Sequence, residues 1–235
     1  MNQFQNTATA VDASFSTAAT RKFLLHVYNW MAMGLAITGV IAYGISKSTF
    51  VETLYTQPIL LMVIILLQLG VVMGLSFAIN KIPAGVAIGG FFLYSALTGI
   101  TMASIFLVYT GGSIAATFFI SAGMFASVSA FGYFTKMDLS KFGTFFFMAL
   151  IGLILATIVN FFLKSTMMNY IISYAGVAIF VGLTAYDTQK IKRMSQSTDV
   201  DTDQGKKSAV FGSLMLYLDF INMFMFLLRI FGNRK

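Results

Sequence analysis

Seven apolar stretches, each roughly twenty residues long, constrain this chain more than any other feature. They run over residues 25–46, 58–79, 84–108, 113–134, 142–163, 170–189 and 208–230. An α-helix rises 1.5 Å per residue and needs about 20 residues to cross about 30 Å of hydrocarbon. It also satisfies its own backbone N–H and C=O groups, which a bilayer cannot do. The pattern therefore predicts an all-α integral membrane protein with seven transmembrane helices. Composition agrees: 58% of residues are hydrophobic and only 10% charged, too few charges to clothe a water-soluble globule of this size.

The first 22 residues are polar and too long for the short basic start of a signal peptide. They read as a disordered cytoplasmic tail, 1–22, leading into a single transmembrane domain, 23–235. Most connections are short, among them NKI, YTGG, KMDLSK and LKST, so consecutive helices are expected to be antiparallel neighbours. The long loop is KRMSQSTDVDTDQGKK, between the sixth and seventh spans.

Basic residues set the orientation. Arg21, Lys22, Lys81, Lys136, Lys141, Lys190, Lys192, Arg193, Lys206 and Lys207 fall on the amino-terminal side; Lys47, Lys164, Arg229, Arg234 and Lys235 fall on the other. The excess places the amino terminus in the cytoplasm. Seven spans then put the basic carboxyl terminus outside, against the trend, and a re-entrant or shallow last helix would remove that conflict. These cations stand singly between apolar runs and make no continuous stripe, so the partner they suggest is the lipid bilayer and not nucleic acid.

The chain has no cysteine and one histidine, His26. That excludes disulfides, cysteine nucleophiles and multi-histidine metal centres, and no cofactor is expected. Six of the eight carboxylates lie outside the spans; Asp187 and Asp219 lie within them. An ionisable group in hydrocarbon is costly and marks a polar interior, a path or a partner. On antiparallel helices the two reach comparable depth, where one proton shared between them would make a pH-responsive unit. Their oxygens could transiently receive a hard cation such as Ca²⁺, assisted by Asn222, Tyr186 or Tyr217. The alternative is local: Asp187 pairs with Lys190, Lys192 or Arg193, and Asp219 hydrogen-bonds to a neighbouring helix. Gln68 and Asn160 either line a polar route or join helices, and Arg229 reaches for the interface.

Several ordered stretches carry a family likeness: YSALTGITMASIFLVYT, SAGMFASVSAFGYFTKMDLSKFG, ALIGLILATIVNFFLKS, YAGVAIFVGLTAYDTQKIK and LYLDFINMFMFLLRIFGNRK. On these the chain resembles the Bax inhibitor-1 family, and most of all its bacterial inner-membrane branch. The resemblance implies a seven-helix bundle whose last helix is central and surrounded by the other six. It further implies a pH-sensitive calcium leak in which Asp187 of AYDTQ and Asp219 of LYLDFIN form the controlling pair, closed when they share a proton. Some relatives carry a basic latch in the second helix; this chain has no Lys or Arg between Pro58 and Ile79, and Gln68 stands where relatives often carry an acid. Two further classes compete. A non-conducting regulator would bind another membrane protein or a membrane protease. An intramembrane aspartyl protease would need glycine-rich GxGD surroundings that the YD and LD contexts lack, so no enzyme activity is expected.

Overall fold

The structure, a computed structural model, describes the backbone of residues 2–235 and the side chains of residues 18–235 apart from Tyr55. Its helices are α1 (Asn2–Ser46), α2 (Phe50–Thr56), α3 (Pro58–Ala78), α4 (Ala84–Met102), α5 (Ile105–Val108), α6 (Gly111–Phe134), α7 (Gly143–Leu163), α8 (Thr166–Gln196) and α9 (Asp203–Phe231). Among the described residues seven helical segments are long and apolar enough to cross a membrane. These are Ala18–Ser46, Pro58–Ala78, Ala84–Val108, Gly111–Phe134, Leu139–Leu163, Thr166–Gln196 and Asp203–Phe231. The tail expected over 1–22 lies outside the described side chains up to residue 17; beyond it Thr20 and Phe23 are already buried.

Local chemistry sets where the helices begin. Pro58 occupies the first turn of α3, where its missing N–H costs nothing. Thr110, Ser165 and Thr202 each turn a hydroxyl back to accept an N–H of the following first turn, from Ser113, Met168 and Gly205. Asn160 closes the α7–α8 turn, its Oδ1 accepting Ser165 N–H at 3.1 Å and its Nδ2 donating to Asn169 Oδ1 at 2.7 Å.

The long loop expected between the last two spans is instead a turn, residues 197–202. Polarity ends a membrane span without ending a helix. Arg193 donates to Gln189 one turn back at 2.8 Å, and Lys207 pairs with Asp203 at 3.1 Å across i,i+4, so charged residues extend both helices past the apolar stretch. Lys22 of α1 holds the turn through Asp201 at 2.6 Å.

α9 is the core of the bundle. It packs chiefly against α1, α4, α6 and α8, while α3 leans on α4 and α7 on α8 from outside. More than half of its apolar window, 56%, is buried, against 11% for α3 and α7. Tyr217 of α9 is fully buried; its hydroxyl lies 2.6 Å from Thr38 Oγ1 of α1, which donates in turn to the Ser95 carbonyl of α4 at 2.8 Å. The rings of Phe91 and Tyr94 stand edge-on to it.

The re-entrant last helix considered from charge is not what forms. α9 runs for 29 residues, about 43 Å at 1.5 Å per residue, and emerges at the end of the bundle opposite the chain's entry. There Lys235 N–H donates to the Val108 carbonyl, Thr110 N–H to the Asn233 carbonyl, and Lys235 Nζ to the Phe106 carbonyl at 2.7 Å. The basic terminus thus serves as a cap for α5 carbonyls.

Candidate functional site

One antiparallel register of α8 against α9 builds the site. Gly212, Asp219 and Phe226 are spaced seven apart and share a stripe of α9. Phe226 stacks on Phe180 at 6.0 Å and covers Gly176, whose missing side chain leaves it room. Gly212 lies against Ile191 at the other end. Between these contacts the carboxyl groups of Asp187 and Asp219 come within hydrogen-bond reach of one another. Asp219 is 4% exposed, and among the described residues its Oδ2 has no hydrogen-bond donor. A carboxyl–carboxylate bond needs one proton for two groups, so the geometry offers a seat for one proton in the middle of the protein.

None of the three nearby cations forms an ion pair with Asp187. Lys192 Nζ donates to the Tyr133 carbonyl at 2.7 Å. Arg193 pairs with Asp138. Lys190 exerts an electrostatic pull on Asp187 but stands over the Phe211 ring at 5.9 Å. The local pairing is therefore not the arrangement that forms. Tyr217, two residues from Asp219, is engaged with α1 and α4. Asn222 donates to the Leu218 carbonyl at 2.8 Å and lines a cavity of about 270 Å³ with Thr157, Phe180 and Arg229. Tyr186 stands by Phe146 and Gly143 on the α7 side. Gln68 joins α3 to α4 through Thr98 at 3.0 Å, and Asn160 belongs to the turn at the far end, so neither reaches the pair.

Sequence reasoning missed the structure that holds the α8 end of this site. Gln189 accepts Leu139 N–H at 2.9 Å and donates to the Met137 carbonyl at 2.8 Å. Arg193 bridges Gln189 and Asp138. Together they clamp the α6–α7 turn to α8 within two turns of Asp187. The usable signal was the i,i+4 spacing of Gln189 and Arg193 beside an acid in a tight turn. Hydrogen bonds from Ser140 and then Arg193 hold the exposed Asp138 carboxyl down at about 2. A depressed carboxyl keeps its contribution above its ordinary range and loses it only as pH falls toward 2. The clamp is consequently constant between pH 6 and 8. Asp138→Asn is expected to lower the thermal midpoint at neutral pH while leaving the midpoint of any pH-dependent activity near pH 7 where it was, checked by melting and activity titrations side by side.

Close approach of α6 to α8 fixes the depth of the pair. A Cβ on Gly132 would collide with the Ala185 backbone, two residues before Asp187. Gly132→Val is expected to cost about 1–3 kcal/mol and to lower the thermal midpoint, whereas Gly123→Ala on the same helix, facing open space, leaves it nearly unchanged.

Among the described residues no three His, Asp or Glu side chains gather as a metal site. Fold and site together define a multi-pass α-helical membrane protein with a carboxyl pair at its central helix. The chain belongs to the Bax inhibitor-1 family: the family model described as "Inhibitor of apoptosis-promoting Bax1" matches residues 20–235. It is 50% identical to the inner membrane protein YbhL of Escherichia coli K12, over 93% of this chain and 94% of that one. It is 46% identical to a protein of Borreliella burgdorferi, over 91% and 93% of the two chains, and 37% identical to a membrane protein of Streptococcus pyogenes serotype M1, over 93% and 95%.

Proposed function

We propose that this protein is a pH-sensitive passive leak for cations, calcium in particular, across the bacterial inner membrane, with Asp187 and Asp219 as its gate. The observation that carries the reading is the meeting of the two carboxyls between α8 and the central α9. With one shared proton they attract, and α8 stays seated on α9. With both ionised they repel by about 4 kcal/mol at 4 Å and an effective dielectric of about 20, which favours separation of the helices and admits a cation to the oxygens. Inner-membrane placement follows the similarity to YbhL. The end bearing Arg21, Lys81, Lys136, Lys192 and Lys206 faces the cytoplasm on this reading.

The test is calcium flux into proteoliposomes of the purified chain. Flux above empty liposomes that is greater at pH about 8 than at about 6 supports the leak. Flux equal to that of empty liposomes at both values contradicts it, and leaves the family's alternative, a non-conducting regulator of another membrane protein, as the function to pursue.

A further inference from the structure

Charge at the far end of the bundle has nearly one sign. Lys47, Lys164, Arg229, Arg234 and Lys235 lie there, opposed among the described side chains by the carboxylate of Glu52. Within that end the α5–α6 turn, the start of α8 and the end of α9 enclose a cavity of about 440 Å³. Its lining includes Tyr109, Asn169, Tyr170, Ser173, Arg229 and Arg234, with no carboxylate among its residues. The volume is in the range of small-ligand sites, about 300–1,000 Å³.

Among the described residues neither guanidinium has an ion-pair partner, since the salt bridges are Lys22–Asp201, Arg193–Asp138 and Lys207–Asp203. Arg229 places its guanidinium 5.4 Å from the Phe226 ring centroid, an arrangement that still leaves N–H donors for an acceptor. The backbone of Arg234 is paired antiparallel with Tyr109, which brings its exposed side chain to the cavity lining. Asn169 is braced as well: its Oδ1 accepts from Asn160, so its amide N–H₂ remains a donor. Two guanidiniums, an amide and phenol hydroxyls lining one cavity are a donor set for a tetrahedral or planar oxyanion.

We propose that this cavity binds a phosphate-class oxyanion, held by Arg229 and Arg234. The site does not depend on the leak, because binding is read without flux. Occupancy would nonetheless neutralise a positively charged mouth on the same helix as Asp219, ten residues and about 15 Å away.

The experiment titrates inorganic phosphate onto the full chain in phosphatidylcholine nanodiscs at fixed ionic strength, by calorimetry. Saturable binding is expected, weakened about tenfold or more by Arg229→Gln and by Arg234→Gln and unchanged by Lys164→Gln, which lies outside the cavity. Arg229→Lys, which keeps the charge without the planar fork, should weaken binding less than Arg229→Gln. That order of affinities is readable in folded protein even where one glutamine variant fails to express. Repeating the titration in phosphatidylglycerol-containing discs separates the sources. Lost phosphate affinity identifies a lipid headgroup as occupant, and retained affinity identifies the free anion. Absence of saturable binding, or equal weakening by Lys164→Gln, overturns the proposal.

Discussion

Asp219→Asn is expected to abolish the difference in calcium flux between pH about 6 and 8, leaving a ratio near one and a low flux at both. Asparagine fills the same space at the centre of α9, 4% exposed in the native chain, but cannot ionise. Asp187 then faces an amide, and the repulsion of about 4 kcal/mol on which the proposed opening depends is gone. Since 1.4 kcal/mol is a factor of ten, that term is worth on the order of a hundredfold or more in a two-state balance. Asp187→Asn should also remove the pH dependence, with a different cost. It leaves Asp219 as a single carboxyl in a buried site, so this variant should melt lower at pH 8 than at pH 6. A flux ratio in Asp219→Asn equal to the native ratio would place the control elsewhere.

Tyr217→Ala is expected to produce the largest loss of stability, about 3–5 kcal/mol, read as a lowered thermal midpoint in detergent. The ring fills space between Phe91 and Tyr94, and its hydroxyl joins the Thr38 contact to Ser95. Three helices therefore lose a common contact at one position. Tyr217→Phe keeps the ring and should cost about 1 kcal/mol. Equal effects from the two substitutions would mean the hydroxyl network, and not packing, holds α9 to α1 and α4.

The seven spans were legible because hydrocarbon demands long apolar runs, and each predicted run falls within a helical segment to within a few residues. The continuation of α8 to Gln196 and the early start of α9 at Asp203 were not legible from hydropathy. They depend on side-chain pairs and a Thr202 cap, which make helix without making membrane. The carboxyl pair was visible as two acids in apolar surroundings. Its register was not, since the contacts that set it, Phe226 on Phe180 and Gly212 on Ile191, are ordinary apolar residues in sequence. Asn160 and Gln68 show the same limit from the other side: a polar residue in a span reads alike whether it lines a path, closes a turn or joins two helices, and here they close and join.

The family resemblance supplied the central last helix, and packing refines it: α9 has four close neighbours, with α3 and α7 in an outer row. α3 is the segment in which some relatives carry a basic latch. Here α3 carries no Lys or Arg, so no cation from α3 competes for the pair, and its Gln68 is engaged with Thr98 of α4. On the proposed reading the control of opening rests on the proton between Asp187 and Asp219, while the clamp formed by Gln189 and Arg193 holds α8 in place at either pH.

The most direct measurement is infrared difference spectroscopy of the carboxyl C=O stretch during a pH titration of the native chain in lipid, with Asp187→Asn and Asp219→Asn as references. The account predicts loss of one protonated carboxyl per chain over the same pH interval in which calcium flux rises, and no such band change in that interval in Asp219→Asn. A flux that rises while the carboxyl band stays constant, or a band change that survives in both variants, would contradict it.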